Sequence, residues 1–173
     1  DKAVHHELAR KAAANSCVLL KNDENILPLK KDTKLALIGE FAKRPRYQGA
    51  GSSRINPNQL DNLFDVLLSR GAHFTYADGY DLSRDEADEE KIKKAVAAAK
   101  DANVAVLCIG LPDSYESEGF DRKHMHLPQS HIKLVEEVAK VNPNIVVLLS
   151  GGSVVEMPWV TDLVSIFIDS LLI

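Results

Sequence analysis

Three runs of consecutive apolar residues predict strands that are covered on both faces of a sheet. They occupy residues 34–39, 104–110 and 145–149, and the first two end in glycine. A strand buried on both sides shows no polar alternation, so continuous apolar runs are typical of parallel sheets in α/β proteins. Less uniform apolar stretches predict three further strands, at residues 17–20, 73–76 and 164–172.

Apolar residues at helical spacing predict four helices. These are expected at residues 4–14, 57–69, 88–103 and 129–141. For the second helix, Asn56 is the expected cap, Pro57 suits the first helical position, and Gly71 is a common type of helix end.

Strands and helices that alternate at this spacing indicate βαβ units and therefore a mostly parallel sheet with helices on both faces. In such sheets ligands gather at the carboxyl ends of the strands. Three loops leave the carboxyl ends of the three clear strands. We call them the Gly-rich loop (residues 40–56), the acidic loop (residues 111–128) and the third loop (residues 150–159), and we expect all three at one edge of the sheet.

Composition and charge exclude several classes of function. The chain has 173 residues, of which 45% are hydrophobic, and these suffice for one domain with its own core. The net charge of −4 offers no basic surface for nucleic acid. Because no apolar run approaches the roughly 18 residues of a membrane helix, no membrane partner is expected.

The two ends of the sequence predict a fragment of a longer protein. The chain starts at Asp1 without a methionine, and an apolar strand-like run stops at Ile173 with no turn behind it. A homo-oligomer is therefore an open alternative to a monomer. Since this sequence contains no signal-like segment, a cytoplasmic location is favoured. Cys17 and Cys108 lie in apolar runs and are expected to be reduced core thiols.

The acidic loop carries the most ionisable chemistry of the chain. Glu116 and Glu118 lie two residues apart, followed by Asp121 and Arg122. Two carboxylates that flank a glycosidic bond are the usual equipment for sugar cleavage. Two acids this close on one loop rarely reach opposite sides of a substrate. The better interpretation is that one of them is catalytic and that the second carboxylate comes from outside this loop. The alternative is a solvated loop in which Asp121 and Arg122 form a local ion pair.

Metal and nucleotide sites are poorly supported by the sequence. His124 and His126 form a His-x-His pair near His131, but no further ligand completes a recognisable spacing. The glycines of residues 49–51 and 151–152 form neither a dinucleotide fingerprint nor a phosphate-binding loop. No nucleophile turn of the G-x-S-x-G kind is present. We therefore expect neither a metal nor another cofactor.

The chain contains, in order, the short motifs AANSCVLLKN (13–22), LPL (27–29), LIG (37–39), GAGSS (49–53), SEGFDR (117–122), LP (127–128) and PW (158–159). This ordered set resembles the C-terminal αβα sandwich domain of glycoside hydrolase family 3, the β-glucosidase-like enzymes. The resemblance covers essentially the whole chain. It implies that residues 1–173 are one three-layer αβα sandwich, part of a larger enzyme whose N-terminal barrel domain is not in this sequence.

The resemblance also implies roles for individual residues. In the family the barrel supplies an aspartate nucleophile, and the sandwich domain supplies the general acid/base glutamate immediately before a glycine, which here is Glu118. Glu116 is the second choice. Substrate-binding or loop-shaping positions that match are Asp121, Arg122, Ser52 and Ser53.

The implied reaction is retaining hydrolysis of a β-linked glucoside or oligosaccharide. Because no segment matches the motif of the nucleophile, this chain alone is expected to be inactive. The alternative hypothesis is a non-catalytic module that binds carbohydrate or a neighbouring domain.

Overall fold

The computed structural model describes residues 1–52, 54–119 and 121–171. Its centre is a six-stranded sheet with the order β1-β6-β5-β4-β2-β3. Neighbouring strands from β6 to β3 are parallel, and β1 pairs with β6 in the antiparallel direction. The strands are β1 (Cys17–Asn22), β2 (Leu35–Ile38), β3 (Phe74–Ala77), β4 (Val104–Gly110), β5 (Ile145–Gly151) and β6 (Ile166–Leu171).

Helices cover both faces of this sheet. They are α1 (Lys2–Ser16), α2 (Leu63–Ser69), α3 (Glu89–Lys100), α4 (Gln129–Ala139) and α5 (Val160–Leu163). The chain moves outward from β2 to β3 and then back through β4 and β5 to β6. Right-handed crossovers therefore put α2 on one face and α3, α4 and α5 on the other. This arrangement confirms the prediction of an αβα sandwich with a mostly parallel sheet.

The central strands β2 and β4 are buried along their whole length, as their continuous apolar sequences predicted. Transfer of apolar surface out of water stabilises such strands by about 25 cal/mol per Å². Because these two strands and β5 are parallel neighbours, the loops that follow them start from one rigid edge.

The second helix was predicted with the wrong start. It begins at Leu63 rather than Pro57, and its cap is Asn62, whose side-chain oxygen accepts a hydrogen bond from the Asp65 amide. Residues 54–61 form no helix or strand. The predicted end is confirmed, because Gly71 takes a φ of +67° that favours glycine.

The prediction for Cys17 was also wrong. Its side chain lies on β1, an edge strand whose first four residues are exposed, whereas Cys108 on β4 is buried. Burial raises the pKa of the Cys108 thiol to about 12, because the thiolate is poorly solvated there. Helix α1 next to β1 has no buried residue. In the part of the chain that the structure describes, no helix is both long and apolar enough to cross a membrane.

Candidate active site

The Gly-rich, acidic and third loops meet at the carboxyl edge of the sheet, as predicted. The amide of Glu118 in the acidic loop donates to the carbonyl oxygen of Ala50 in the Gly-rich loop at 3.3 Å. The carboxylate of Glu116 accepts from the amide of Gly152 in the third loop at 2.9 Å. The acidic loop is thus held between the other two.

Glu118 is exposed and points its carboxylate at the Gly-rich loop. Its Oε2 accepts a hydrogen bond from the Ser52 amide at 2.6 Å. The Ser52 hydroxyl and this amide together hold the pKa of Glu118 below its ordinary value, because both stabilise the charged form. The predicted site residues Ser52 and Glu118 therefore lie together, while Ser53 lies outside the described residues.

Gly51 permits this contact because it has no side chain. Its φ is +103°, and a Cβ placed on it would lie 2.5 Å from the Cβ of Glu118 and 2.7 Å from Oε2. Both distances are shorter than an ordinary van der Waals contact, so the close approach of the two loops requires glycine at this position.

A Gly51→Ala substitution is expected to raise the pKa of Glu118 towards its ordinary value. The new methyl group pushes Glu118 away from Ser52, and the carboxylate loses its donors. The measurement is a carbon-detected NMR titration of the Glu118 carboxyl group. Gly71→Ala is the matched control, because its positive φ causes similar backbone strain with nothing within 4 Å of the new Cβ. An unchanged Glu118 titration in Gly51→Ala would contradict the contact.

Glu116 has a different environment. Its side chain is only 14% exposed, and both carboxylate oxygens are engaged, one by the Gly152 amide and one by the Ser153 hydroxyl. The Arg46 guanidinium lies 3.7 Å from the same carboxylate and donates to the main-chain oxygen of Glu116 at 3.0 Å. Glu116 is therefore bound by groups of the other two loops.

Arg46 is a central residue of the site that sequence reasoning missed. Its side chain is 3% exposed, and besides Glu116 it contacts the carboxylate of Asp113. Asp113 also forms an ion pair with Arg54, with 3.3 Å between a carboxylate oxygen and a guanidinium nitrogen. No local signal marks Arg46, since arginines in polar loops usually face solvent. A groove of about 540 Å³ with Tyr47 and Leu60 in its wall opens beside these charges.

Arg122 does not form the local ion pair that was considered for it. It donates instead to the Ser153 hydroxyl at 2.6 Å and to the Val154 carbonyl oxygen at 3.0 Å. Among the described residues, no salt bridge joins it to Asp121, which is exposed. The third loop offers Arg122 two well-placed acceptors, whereas its sequence neighbour lies in solvent.

Of the histidines that were weighed as metal ligands, His124 and His126 lie side by side, whereas His131 lies in a different, buried environment. The rings of His124 and His126 lie 5.2 Å apart, and His126 pairs with Glu156 at 3.4 Å. His131 is buried on α4, with its ring centre 3.9 Å from that of Tyr80. Within the described ranges, no three side chains of His, Cys, Asp or Glu group in a way that would hold a metal ion.

The sheet and its loops form an αβα sandwich with a polar loop cluster at its carboxyl edge. Residues 17–170 match the family model of the glycosyl hydrolase family 3 C-terminal domain, and the chain belongs to this family. The resemblance found in the sequence motifs is thereby confirmed.

Individual relatives are similar over nearly the whole chain. Thermostable β-glucosidase B of Acetivibrio thermocellus is 52% identical over 169 residues, which cover 96% of this chain and 22% of that protein. An exo-α-(1→6)-L-arabinopyranosidase of Bifidobacterium longum is 44% identical over 92% of this chain and 22% of its own length. The chain thus spans about a fifth of the length of these relatives.

A solved structure has the same fold. The crystal structure of a Bifidobacterium adolescentis family 3 β-glucosidase superimposes with a TM-score of 0.95 at 43% identity, over 99% of this chain and 25% of that one. The architecture of the sheet and its loops is therefore that of the sandwich domain in β-glucosidase-like hydrolases of family 3.

Proposed function

We propose that this domain supplies Glu118 as the general acid/base of a retaining β-glycosidase, in an active site shared with an N-terminal barrel domain that supplies an aspartate nucleophile. The observation that carries the proposal is the state of Glu118. It is an exposed carboxylate at the carboxyl edge of the sheet, held by one neighbouring loop and open on its other side.

The environments of the two glutamates support the choice of Glu118 over Glu116. A proton donor has to reach the glycosidic oxygen within hydrogen-bonding distance. The carboxylate of Glu116 is largely buried and already accepts bonds from Gly152 and Ser153, so it is poorly placed to reach a sugar. The family motif, in which the glutamate directly precedes a glycine, selects Glu118 as well.

In the proposed reaction the barrel aspartate attacks the anomeric carbon while protonated Glu118 transfers its proton to the leaving oxygen. The bond between the anomeric carbon and that oxygen breaks, and the sugar becomes covalently attached to the aspartate. Glu118, now a carboxylate, takes a proton from a water molecule whose oxygen attacks the same carbon and releases the sugar. Two inversions give retention of configuration, and β-linked glucosides or oligosaccharides are the proposed substrates.

The first step requires a protonated Glu118, and the contacts with Ser52 act against it. Docking of a barrel domain would bury Glu118 and place the negative charge of the nucleophile near it. Both changes disfavour the carboxylate and raise its pKa. The acid function thus belongs to the assembled enzyme, and the chain alone is proposed to be inactive because it lacks the nucleophile.

The experiment removes each glutamate in the enzyme assembled from this chain and its barrel domain. Glu118→Ala and Glu116→Ala are incubated with 2,4-dinitrophenyl β-glucoside and sodium azide, and the products are identified by NMR. Azide needs no general base, so Glu118→Ala is expected to form β-glucosyl azide and the unsubstituted enzyme only glucose. Formation of the azide by Glu116→Ala alone would transfer the role to Glu116. Full glucose release by Glu118→Ala would favour a non-catalytic module.

A further inference from the structure

We infer that Glu116 and Arg46 are positioning residues that hold the segment bearing Glu118 in its working place. This inference rests on the proposed role of Glu118 and adds a function for the second glutamate of the motif. It rests on a network of polar contacts that joins all three loops. The network includes residues on both sides of Glu118 in the sequence.

The first part of this network is the buried guanidinium of Arg46. It binds Asp113 near the start of the acidic loop and the main-chain oxygen of Glu116 three residues later. With 3% of its side chain exposed, Arg46 has left bulk water and depends on these acceptors. One side chain of the Gly-rich loop thus fixes two points of the acidic loop.

The second part closes the loop around Glu118. The Ser153 hydroxyl donates to the carboxylate of Glu116 and accepts a hydrogen bond from Arg122 at 2.6 Å. Glu116 lies two residues before Glu118, and Arg122 lies four residues after it. Both sides of the catalytic position are therefore tied to one side chain of the third loop.

The chemistry of these contacts favours a carboxylate at position 116. The amide of Gly152, the hydroxyl of Ser153 and the guanidinium of Arg46 all present hydrogens to it. A glutamine of the same shape can keep its oxygen on the Gly152 amide, but its NH₂ group then faces the Ser153 hydroxyl. That hydroxyl would have to turn from donor to acceptor while it still accepts from Arg122. The glutamine would also leave the buried Arg46 with one charge fewer nearby.

Loss of this arrangement is expected to act on the reaction through Glu118. A displacement of about 1 Å can lower the rate of a positioned group by about 100-fold. Proton donation matters most for a poor leaving group, so kcat/KM for phenyl β-glucoside should fall about 10- to 100-fold in Glu116→Gln. With 2,4-dinitrophenyl β-glucoside, which leaves without a proton, the loss should be less than about 3-fold.

The test is a double-mutant cycle in the enzyme assembled with its barrel domain. Glu116→Gln, Glu118→Gln and the double variant are assayed with both substrates. If Glu116 acts through Glu118, its substitution changes kcat/KM less than about 2-fold once Glu118 is already replaced. Arg46→Lys, which keeps the charge but loses the planar fork, should repeat the pattern of Glu116→Gln.

Two control variants separate positioning from general effects. Glu156→Gln removes a half-exposed carboxylate of the third loop, and Arg44→Lys alters an exposed arginine paired with Glu40. Both should leave kcat/KM within about 2-fold for either substrate, because neither contacts Glu116 or Glu118.

Several results would overturn the inference. These are an unchanged rate for the poor leaving group in Glu116→Gln, an equal loss with both substrates, or an undiminished loss in the Glu118→Gln background. If Glu118→Gln retains the full rate for phenyl β-glucoside, the proposed function fails as well. If kcat/KM for phenyl β-glucoside collapses in Glu118→Gln but is unchanged in Glu116→Gln, only the positioning role is overturned.

Discussion

In the assembled enzyme, Glu118→Gln should lower kcat/KM for phenyl β-glucoside by about 10²- to 10⁴-fold, the range that general acid catalysis usually contributes. Phenoxide is a poor leaving group and needs a proton in the transition state. The glutamine cannot supply one, although its size and its contact distance to Ser52 are similar. The corresponding loss with 2,4-dinitrophenyl β-glucoside should be far smaller, because that phenolate leaves as an anion.

The pH profile provides a second measure of the same role. The alkaline limb of kcat/KM for phenyl β-glucoside reports loss of the proton from the essential acid, so this limb should disappear in Glu118→Gln. Glu86→Gln, at an exposed position before α3, serves as the control. It should keep both the value of kcat/KM and the alkaline limb of its pH profile. A Glu118→Gln enzyme that retains the alkaline limb would show that another group is the acid.

The chain should lose stability in mildly acidic solution because of His131. Burial lowers the pKa of this histidine to about 3 in the folded protein, against about 6.5 in the unfolded chain. Between these values the unfolded state binds one proton more than the folded state. The free energy of unfolding therefore falls by about 1.4 kcal/mol for each pH unit below 6.5, and the loss reaches several kcal/mol near pH 3.

Urea unfolding of the chain at pH 7.0, 6.0, 5.0 and 4.5 would measure this slope. In that window most carboxylates remain ionised, so the histidine dominates. His131→Leu removes the titrating ring and should flatten the dependence, whatever its effect at pH 7. His73→Gln, at an exposed position before β3, should preserve the slope. A steep slope in His131→Leu would assign the acid sensitivity to other groups.

The strands and the meeting of the three loops were predictable because their cause is local. A seven-residue apolar run such as β4 is long enough to show that both faces are covered, and parallel neighbours place their following loops at one edge. The ordered motifs, including the one around Glu118, made the family predictable as well. The structure confirmed the parallel sheet and the common edge of the three loops, and the family model confirmed the family.

The remainder of the site depends on contacts between distant parts of the sequence. Arg46 and Glu116 are 70 residues apart, and no spacing rule connects an arginine after a proline with a glutamate in another loop. The start of α2 was wrong for a related reason. Asn56 and Asn62 are both good caps, and the side-chain bond to Asp65 that selects Asn62 is visible only in the fold.

The hydrogen bonds from Ser52 to Glu118 have a consequence for the timing of the proposed cycle. They stabilise the carboxylate, which is the form that activates water in the second half-reaction, and they oppose the protonated form that starts the first. The Gly-rich loop would thereby slow formation of the covalent intermediate relative to its breakdown. During turnover the main species would then be the enzyme without covalently attached sugar, and a loop outside the catalytic pair would decide whether the covalent intermediate accumulates.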